Sequence, residues 1–184
     1  MGGEWCLGKG LPGFGDGCRQ RICDYRFHDG TGSPTQRWSA KKGGKDQAIG
    51  RGQRGPSTKI HALVDALGNP LAFHLTQGQI HDVEGADILL PQLIADTLLG
   101  DKAYDADERV IRPLSLAGKT AVIPSRQQRK TLRDYDKATY RARHLIENFF
   151  CRLKQFRGIA TRYDKTARNF LAAVQLVAAV IWLN

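Results

Sequence analysis

Residues 58 to 76, TKIHALVDALGNPLAFHLT, constrain the fold more than any other stretch of the chain. Ile60, Ala62 and Val64 alternate with Lys59, His61 and Leu63, which is the two-residue period of a strand. Asp65-Ala66-Leu67-Gly68-Asn69-Pro70 supplies turn residues, and Leu71 to Thr76 follows as a second strand. The spacing predicts an antiparallel hairpin, so the rest of the chain must supply a sheet and its cover.

The segments that follow fit that demand. Gln77-Gly78-Gln79 is a loop, and Asp82 stands where it can cap a helix over VEGADILLPQLI. TLLG is a short apolar strand leading directly into Asp101. ADERVIRPLSLAG predicts a helix and turn, and TAVIPS a buried strand closed by Pro124. A basic linker, a helix around Tyr140 to Phe156 and an apolar tail from Phe170 to Leu183 complete the chain. The order β-β-α-β-α-β-α-α implies an α/β domain with a mixed sheet flanked by helices. The tail is interrupted by Gln175 and is short for a bilayer, so it is expected to be a buried closing helix, with Trp182 in the core and no membrane partner.

Residues 1–58 break this pattern. They hold 14 of the 20 glycines and three of the four cysteines, without a sustained apolar period. There is no GxxxxGK[ST] phosphate loop and no CxxC pair, so neither nucleotide nor zinc binding is indicated. The expectation is a poorly structured segment over 1–40 and one domain over 41–184. With no secretory signal, a reducing, cytoplasmic setting is the default.

Charge narrows the partners. The net charge is +10, but residues 59–125 hold 5 Lys/Arg against 9 Asp/Glu, and residues 126–168 hold 13 against 4. An acidic middle followed by a basic segment fits a cation-binding site beside a phosphate-binding surface.

Two acids stand out. Asp101 sits at a strand tip, where α/β sheets gather their sites, whereas Asp105, Asp107 and Glu108 are expected to face solvent. At about 100° per residue, Tyr140, Arg143, Glu147 and Lys154 share one narrow polar stripe, while Leu145, Ile146, Phe149, Phe150, Leu153 and Phe156 form the apolar face. Alone, Asp101 reads equally well as a helix cap and Glu147 as an ion-paired helix residue. Together they can chelate a hard divalent cation, with the stripe's cations holding a phosphate backbone beside it. His61, His74 and His81 are expected to be unliganded, and Cys151 an inert thiol.

The spacing Tyr140, Arg143, Glu147, Lys154 resembles the signature of bacterial insertion-sequence DDE transposases of the insertion-sequence-five group. GDKAYD, IENFFCRLKQFRGIATRYDK and STKIHALVDALGNPLAFHLTQGQIHD are similar to that group's flanks, and the resemblance covers Lys41 to Asn184. It implies a ribonuclease-H-like fold and Mg²⁺- or Mn²⁺-dependent cleavage and transfer of DNA strands. It further implies Asp101 and Glu147 as catalytic, metal-binding acids, and Tyr140, Arg143 and Lys154 as DNA-positioning residues. Double-stranded DNA at element ends and target would be the partner, in a nucleoid-associated setting, with a homo-oligomer or association with an intact transposase.

The family's first aspartate, normally in Asp-Ser-Thr on the first strand, falls at Phe27, and no Asp-Ser-Thr occurs in the chain. Asp24 and Asp29 are nearby, but neither follows an apolar strand. Codons for Asp-Ser-Thr read one nucleotide early after a C give Arg-Phe-His, and Arg26-Phe27-His28 stands here. Residues before about Lys41 are therefore expected to be out of frame, with the first strand missing or disrupted. Ile60 to Thr76 would then lack a sheet partner, leaving a catalytically impaired copy that binds metal weakly. The alternatives are a non-enzymatic DNA-binding remnant that represses transposition, and a basic RNA-binding protein.

Overall fold

The computed structural model describes residues 19–28, 47–52 and 55–183, with the backbone alone for 23–28, 51 and 52. Six strands form one sheet: β1 (Arg19–His28), β2 (Gly50–Gly52), β3 (Gly55–Val64), β4 (Pro70–Gln77), β5 (Thr97–Gly100) and β6 (Thr120–Val122). The order across the sheet is β2-β3-β1-β5-β6, with β4 also paired to β3. β3 is antiparallel to β1, β2 and β4, whereas β5 is parallel to β1 and β6. The hairpin is present as β3–β4, turning at Gly68 with a left-handed φ of 91°.

The first strand is therefore present and central, which corrects the expectation that it is missing. β1 pairs with β3 from Arg21↔Val64 to His28↔Ser57 and with β5 from Arg19↔Thr97 to Ile22↔Gly100. The physical reason lies in its neighbours: β3 and β5 each present an edge of unpaired backbone groups, and an extended segment between them satisfies both. Within RQRICDYRFH, Cys23, Tyr25 and Phe27 alternate with Asp24, Arg26 and His28, the two-residue period of a strand. The remainder of the 1–40 segment, Asp29 included, lies outside the described residues.

Alternation along β3 divides the core as the sequence suggested. Ile60, Ala62 and Val64 pack against Ile146, Phe149, Phe150, Leu153, Phe170 and Val174 of α4 (His144–Leu153) and α6 (Ala167–Leu183). On the opposite face Leu63 joins Ile22, Leu98 and Tyr104 with Val83, Ala86 and Leu89 of α1 (Asp82–Leu89) and Leu114 of α2 (Arg112–Leu116). A single π-helical turn, Asp107–Ile111, leads into α2. Asp82 does not cap α1; His81 stands at that position, and the Asp82 carboxylate pairs instead with the buried Lys59 ammonium.

Three further expectations need correction. The helix around Tyr140 is divided into α3 (Lys137–Arg141), α4 and α5 (Arg157–Ala160). Ala142 and Arg143 stay in the right-handed helical region, so the stripe's phase passes from α3 into α4. In α6 only one face is buried, through Phe170, Val174 and Ala178, and Trp182 is 64% exposed rather than core. Asp105 is buried, while Asp107 and Glu108 are exposed as expected. Among the described residues, no helix is long and apolar enough to cross a membrane.

Candidate catalytic site

Asp101 follows β5 immediately and caps a single 3₁₀ turn, Lys102–Tyr104, by accepting the Lys102 N–H at 2.7 Å. Its side can be derived from the strand. Leu98 belongs to the α1-side cluster, and a Cβ on Gly100 would meet Ile123 and Ile22 of that same cluster at 3.2 and 3.4 Å. Side chains alternate along a strand and Asp101 is still extended (φ −73°, ψ 161°), so Leu99 and Asp101 take the face covered by α4 and α6.

Glu147 lies on α4 in that layer. The Phe149 ring centroid is 5.8 Å from that of Phe73, Phe73 pairs with Ala62, and Ala62 pairs with Cys23. Ile22 pairs with Gly100, so the next position on each strand sets Cys23 level with Asp101. This turn of α4 packs on β4 beside Phe73, and Glu147 stands about 3 Å before Phe149 along the helix axis.

Around Glu147 the stripe is assembled by direct contact. Arg143 donates to Glu147 Oε1 across one helical turn, and its guanidinium carbon lies 5.6 Å from the Tyr140 ring centroid. Tyr140 in turn meets Tyr135 edge-on at 5.4 Å between ring centroids. Lys154 is the residue that ends α4, about 10 Å along the axis from Glu147. The structure therefore joins Tyr140, Arg143 and Glu147 as one chain of contacts, and sets Lys154 further along the same helix.

The basic segment is differently employed at its start than charge alone suggested. Arg133 and Arg129 pair with the buried Asp105 and with Asp107, and Arg126 donates to the carbonyls of Lys102 and Ala103. The hydrogen bond from Arg129 holds the Asp107 carboxyl below its ordinary range. These three arginines fasten the 126–133 segment to the turn after Asp101. Exposed cations occur further on, at Arg141, Arg152, Arg157, Lys165 and Arg168. Opposite charge in 105–108 and 126–133 was visible in the sequence, but nothing in the spacing showed that the two runs meet.

The donor set fits a hard divalent cation in part. Asp101 Oδ2 and Glu147 Oε2 make no hydrogen bond to described residues, and carboxylate oxygens suit Mg²⁺, which keeps several waters beside one or two carboxylates. Among the described residues, no three His, Cys, Asp or Glu side chains gather as a set that could hold a metal ion. His61 is occupied otherwise, hydrogen-bonded to Thr76 Oγ1 at 2.8 Å and Tyr104 Oη at 3.2 Å. Cys151 is a free, exposed thiol.

A mixed sheet with its first strand central, helices on both faces and an acid at the tip of the neighbouring parallel strand define a ribonuclease-H-like domain. The chain belongs to the transposase DDE domain family, whose model matches residues 24–182. It is 40% identical over 129 residues, 70% of this chain and 99% of the other, to a Brucella ovis protein named "Putative transposase for insertion sequence element IS6501". No solved structure gives a significant match. Transposases act on DNA, and this family uses divalent metal ions.

The first-aspartate position also shifts. Phe27 pairs with Thr58, four residues past the level of Asp101, so a carboxylate there would stand about 13 Å further along the strand. Asp24, paired through its backbone with His61, is the one acid in β1, but it has the parity of Ile22 and so takes the face of the sheet opposite Asp101.

Proposed function

We propose that this chain descends from an insertion-sequence transposase, with Asp101 and Glu147 as its two remaining catalytic acids and with strand cleavage impaired. The observation that supports this reading is the Tyr140–Arg143–Glu147 contact chain, which runs from α3 into α4. Glu147 and Asp101 would hold the divalent ion through Oε2 and Oδ2. When bound, such an ion activates the attacking oxygen and stabilises the leaving oxygen in phosphodiester cleavage. Arg143 would orient the Glu147 carboxylate and, steadied over Tyr140, would meet a DNA phosphate. Arg141, Arg152, Lys154, Arg157, Lys165 and Arg168 would bind the duplex backbone, with element ends and target both as substrates.

Impairment follows from the first strand. Two acids give an ion fewer fixed ligands than a bridged pair needs, so affinity is weak. We read the residues before about Lys41 as out of frame, and the buried Arg21 on β1 supports this, since a chain selected for that position would place an apolar residue there. Sequencing codons 1–45 checks it: the alternative frame should encode Asp-Ser-Thr after an apolar run. A repressor that binds element ends without cutting them would be one use of such a copy.

The protein should bind duplex DNA with steep salt dependence and cut element-end DNA with Mg²⁺ or Mn²⁺ at no more than background rate. Cleavage that Glu147→Gln lowers by about 10³-fold or more would overturn impairment while upholding the site. Preference for single-stranded RNA over duplex DNA would overturn the transposase reading itself.

A further inference from the structure

The motif Gly100-Asp101-Lys102-Ala103-Tyr104-Asp105 contains more than the acid at its second position, and the structure gives its last two residues a task. We infer that Tyr104 and Asp105 are positioning residues for Asp101, pinning from two sides the short turn that carries its carboxylate. The inference rests on the reading of Asp101 as a metal-binding acid, and deepens it.

A lone 3₁₀ turn is a weak device for fixing a side chain. It closes here with Tyr104 N–H on the Asp101 carbonyl at 2.9 Å and Asp105 N–H on the Lys102 carbonyl at 3.2 Å, and short 3₁₀ pieces have poor hydrogen-bond geometry. Left to itself, such a turn would fray and release the Lys102 N–H from the Asp101 carboxylate. Metal ligands need placement within about 0.5 Å, which is more than a three-residue turn supplies alone.

The anchoring comes from the two residues that follow. Tyr104 is fully buried, and its hydroxyl lies 3.2 Å from His61 Nδ1, while His61 Nε2 meets Thr76 Oγ1 at 2.8 Å. This polar relay ties the turn to β3 and β4, and a hydroxyl that must reach one ring nitrogen fixes the ring's depth and rotation. Asp105 has a side chain only 1% exposed. It accepts the Arg126 N–H at 2.9 Å and is paired with Arg133, with Arg129 at 3.4 Å. Arg126 then reaches back to the Lys102 and Ala103 carbonyls, at 3.2 and 2.6 Å, closing a ring of bonds around the turn. A buried carboxylate this expensive to desolvate stays only where several donors meet it, and those donors come from one segment, 126–133. On the other side Gly100 lets Ile123 and Ile22 close within 3.2 to 3.4 Å of where a Cβ would stand, so the turn's entry is fixed as well.

The test uses the full chain with Tyr104→Phe, which keeps the ring and removes one hydroxyl, and Asp105→Asn, which keeps the volume. Amide hydrogen exchange is read at Lys102 and Tyr104 against Leu98, Leu99, Phe149 and Phe150. Mn²⁺ affinity is read by the loss of the free-ion paramagnetic signal. Both variants should lower protection at Lys102 and Tyr104 by about 10-fold beyond any change at the four core amides. Each should weaken Mn²⁺ binding by about 10-fold, with no further loss when combined with Asp101→Asn. Localised loss of protection in a protein that binds no Mn²⁺ even as wild type would uphold the positioning role and remove the metal role of Asp101. Retained protection at Lys102 and Tyr104, a loss spread evenly over the core, or a further drop in Mn²⁺ affinity on the Asp101→Asn background would overturn the inference.

Discussion

Replacing Arg21 with methionine is expected to stabilise the protein by about 2 kcal/mol, raising the melting midpoint by roughly 4–8 °C. Arg21 lies in the middle of the sheet, paired with Val64 on one side and Leu99 on the other, and is 2% exposed. Burial weakens its hold on its proton, opposed by Asp65 and reinforced by Arg19. One guanidinium nitrogen donates to the Asp65 carbonyl, and Nε finds no acceptor among the described residues. Methionine keeps the unbranched stem and removes both the desolvated charge and the orphaned donor. The Asp65 carbonyl is not stranded, because it also accepts the Gly68 N–H at 3.1 Å. Lysine at the same position should give no stabilisation, since the charge remains buried. Denaturant titrations of the two variants check this. A midpoint that falls with methionine would show that Arg21 belongs where it is, and would remove the structural support for an out-of-frame β1.

That strand also shows what the sequence made legible and what it hid. β3, β4 and β5 were readable because apolar alternation and turn residues act locally: Ile60, Ala62 and Val64 select one face, His61 and Leu63 the other. β1 was missed although Cys23, Tyr25 and Phe27 alternate with Asp24, Arg26 and His28, because that short period follows Arg19, Gln20 and Arg21 and lies within a Gly-rich stretch. Its structure is imposed by the two edges it completes. Gln20 shows how such a segment is accommodated: its side-chain oxygen accepts the N–H groups of Ile94 and Ala95, so burial leaves that oxygen paired. Arg21 has no equivalent arrangement for Nε.

The candidate site divides along the same line. Tyr140, Arg143 and Glu147 were legible because helical spacing brings residues three and four apart onto one face, and that face survives the break between α3 and α4. Asp101 was legible because a strand tip follows directly from TLLG. The clamp of Asp105 by Arg126, Arg129 and Arg133 was not, since twenty-odd residues and strand β6 intervene, and pairing at that separation depends on the completed sheet. Trp182 failed for the converse reason: α6 is apolar on more than one face but buries only the one that meets the sheet and α4.

The second large effect is acid lability centred on His61. Its ring is fully buried between β4 and α1, and a Cβ on Gly85 would stand 2.3 Å from it, so α1 rides directly on the imidazole. Burial pushes its pKa down from 6.5 to about 4, with His74 and Lys59 adding to the fall and Asp82 opposing it. The hydrogen bonds are not the cause, because the hydroxyls of Thr76 and Tyr104 can both accept from an imidazolium. The unfolded chain takes up this proton below about pH 6.5, and the folded chain takes it up only near pH 4. Between those values unfolding binds a proton, so the contribution is fully present above pH 6.5 and is lost as pH falls toward 4. A shift of this size corresponds to about 3 kcal/mol, a large part of the stability of a domain this size. Unfolding free energies from urea titrations at pH 7.5 and 4.5 should differ by about that amount after correction for other groups; His74, also lowered by burial, acts in the same direction. In a ring-proton titration the His61 resonances should stay unshifted down to about pH 5. Titration of His61 near 6.5 in the folded protein would show that water reaches the ring, and the predicted loss between pH 6.5 and 4 would then not occur.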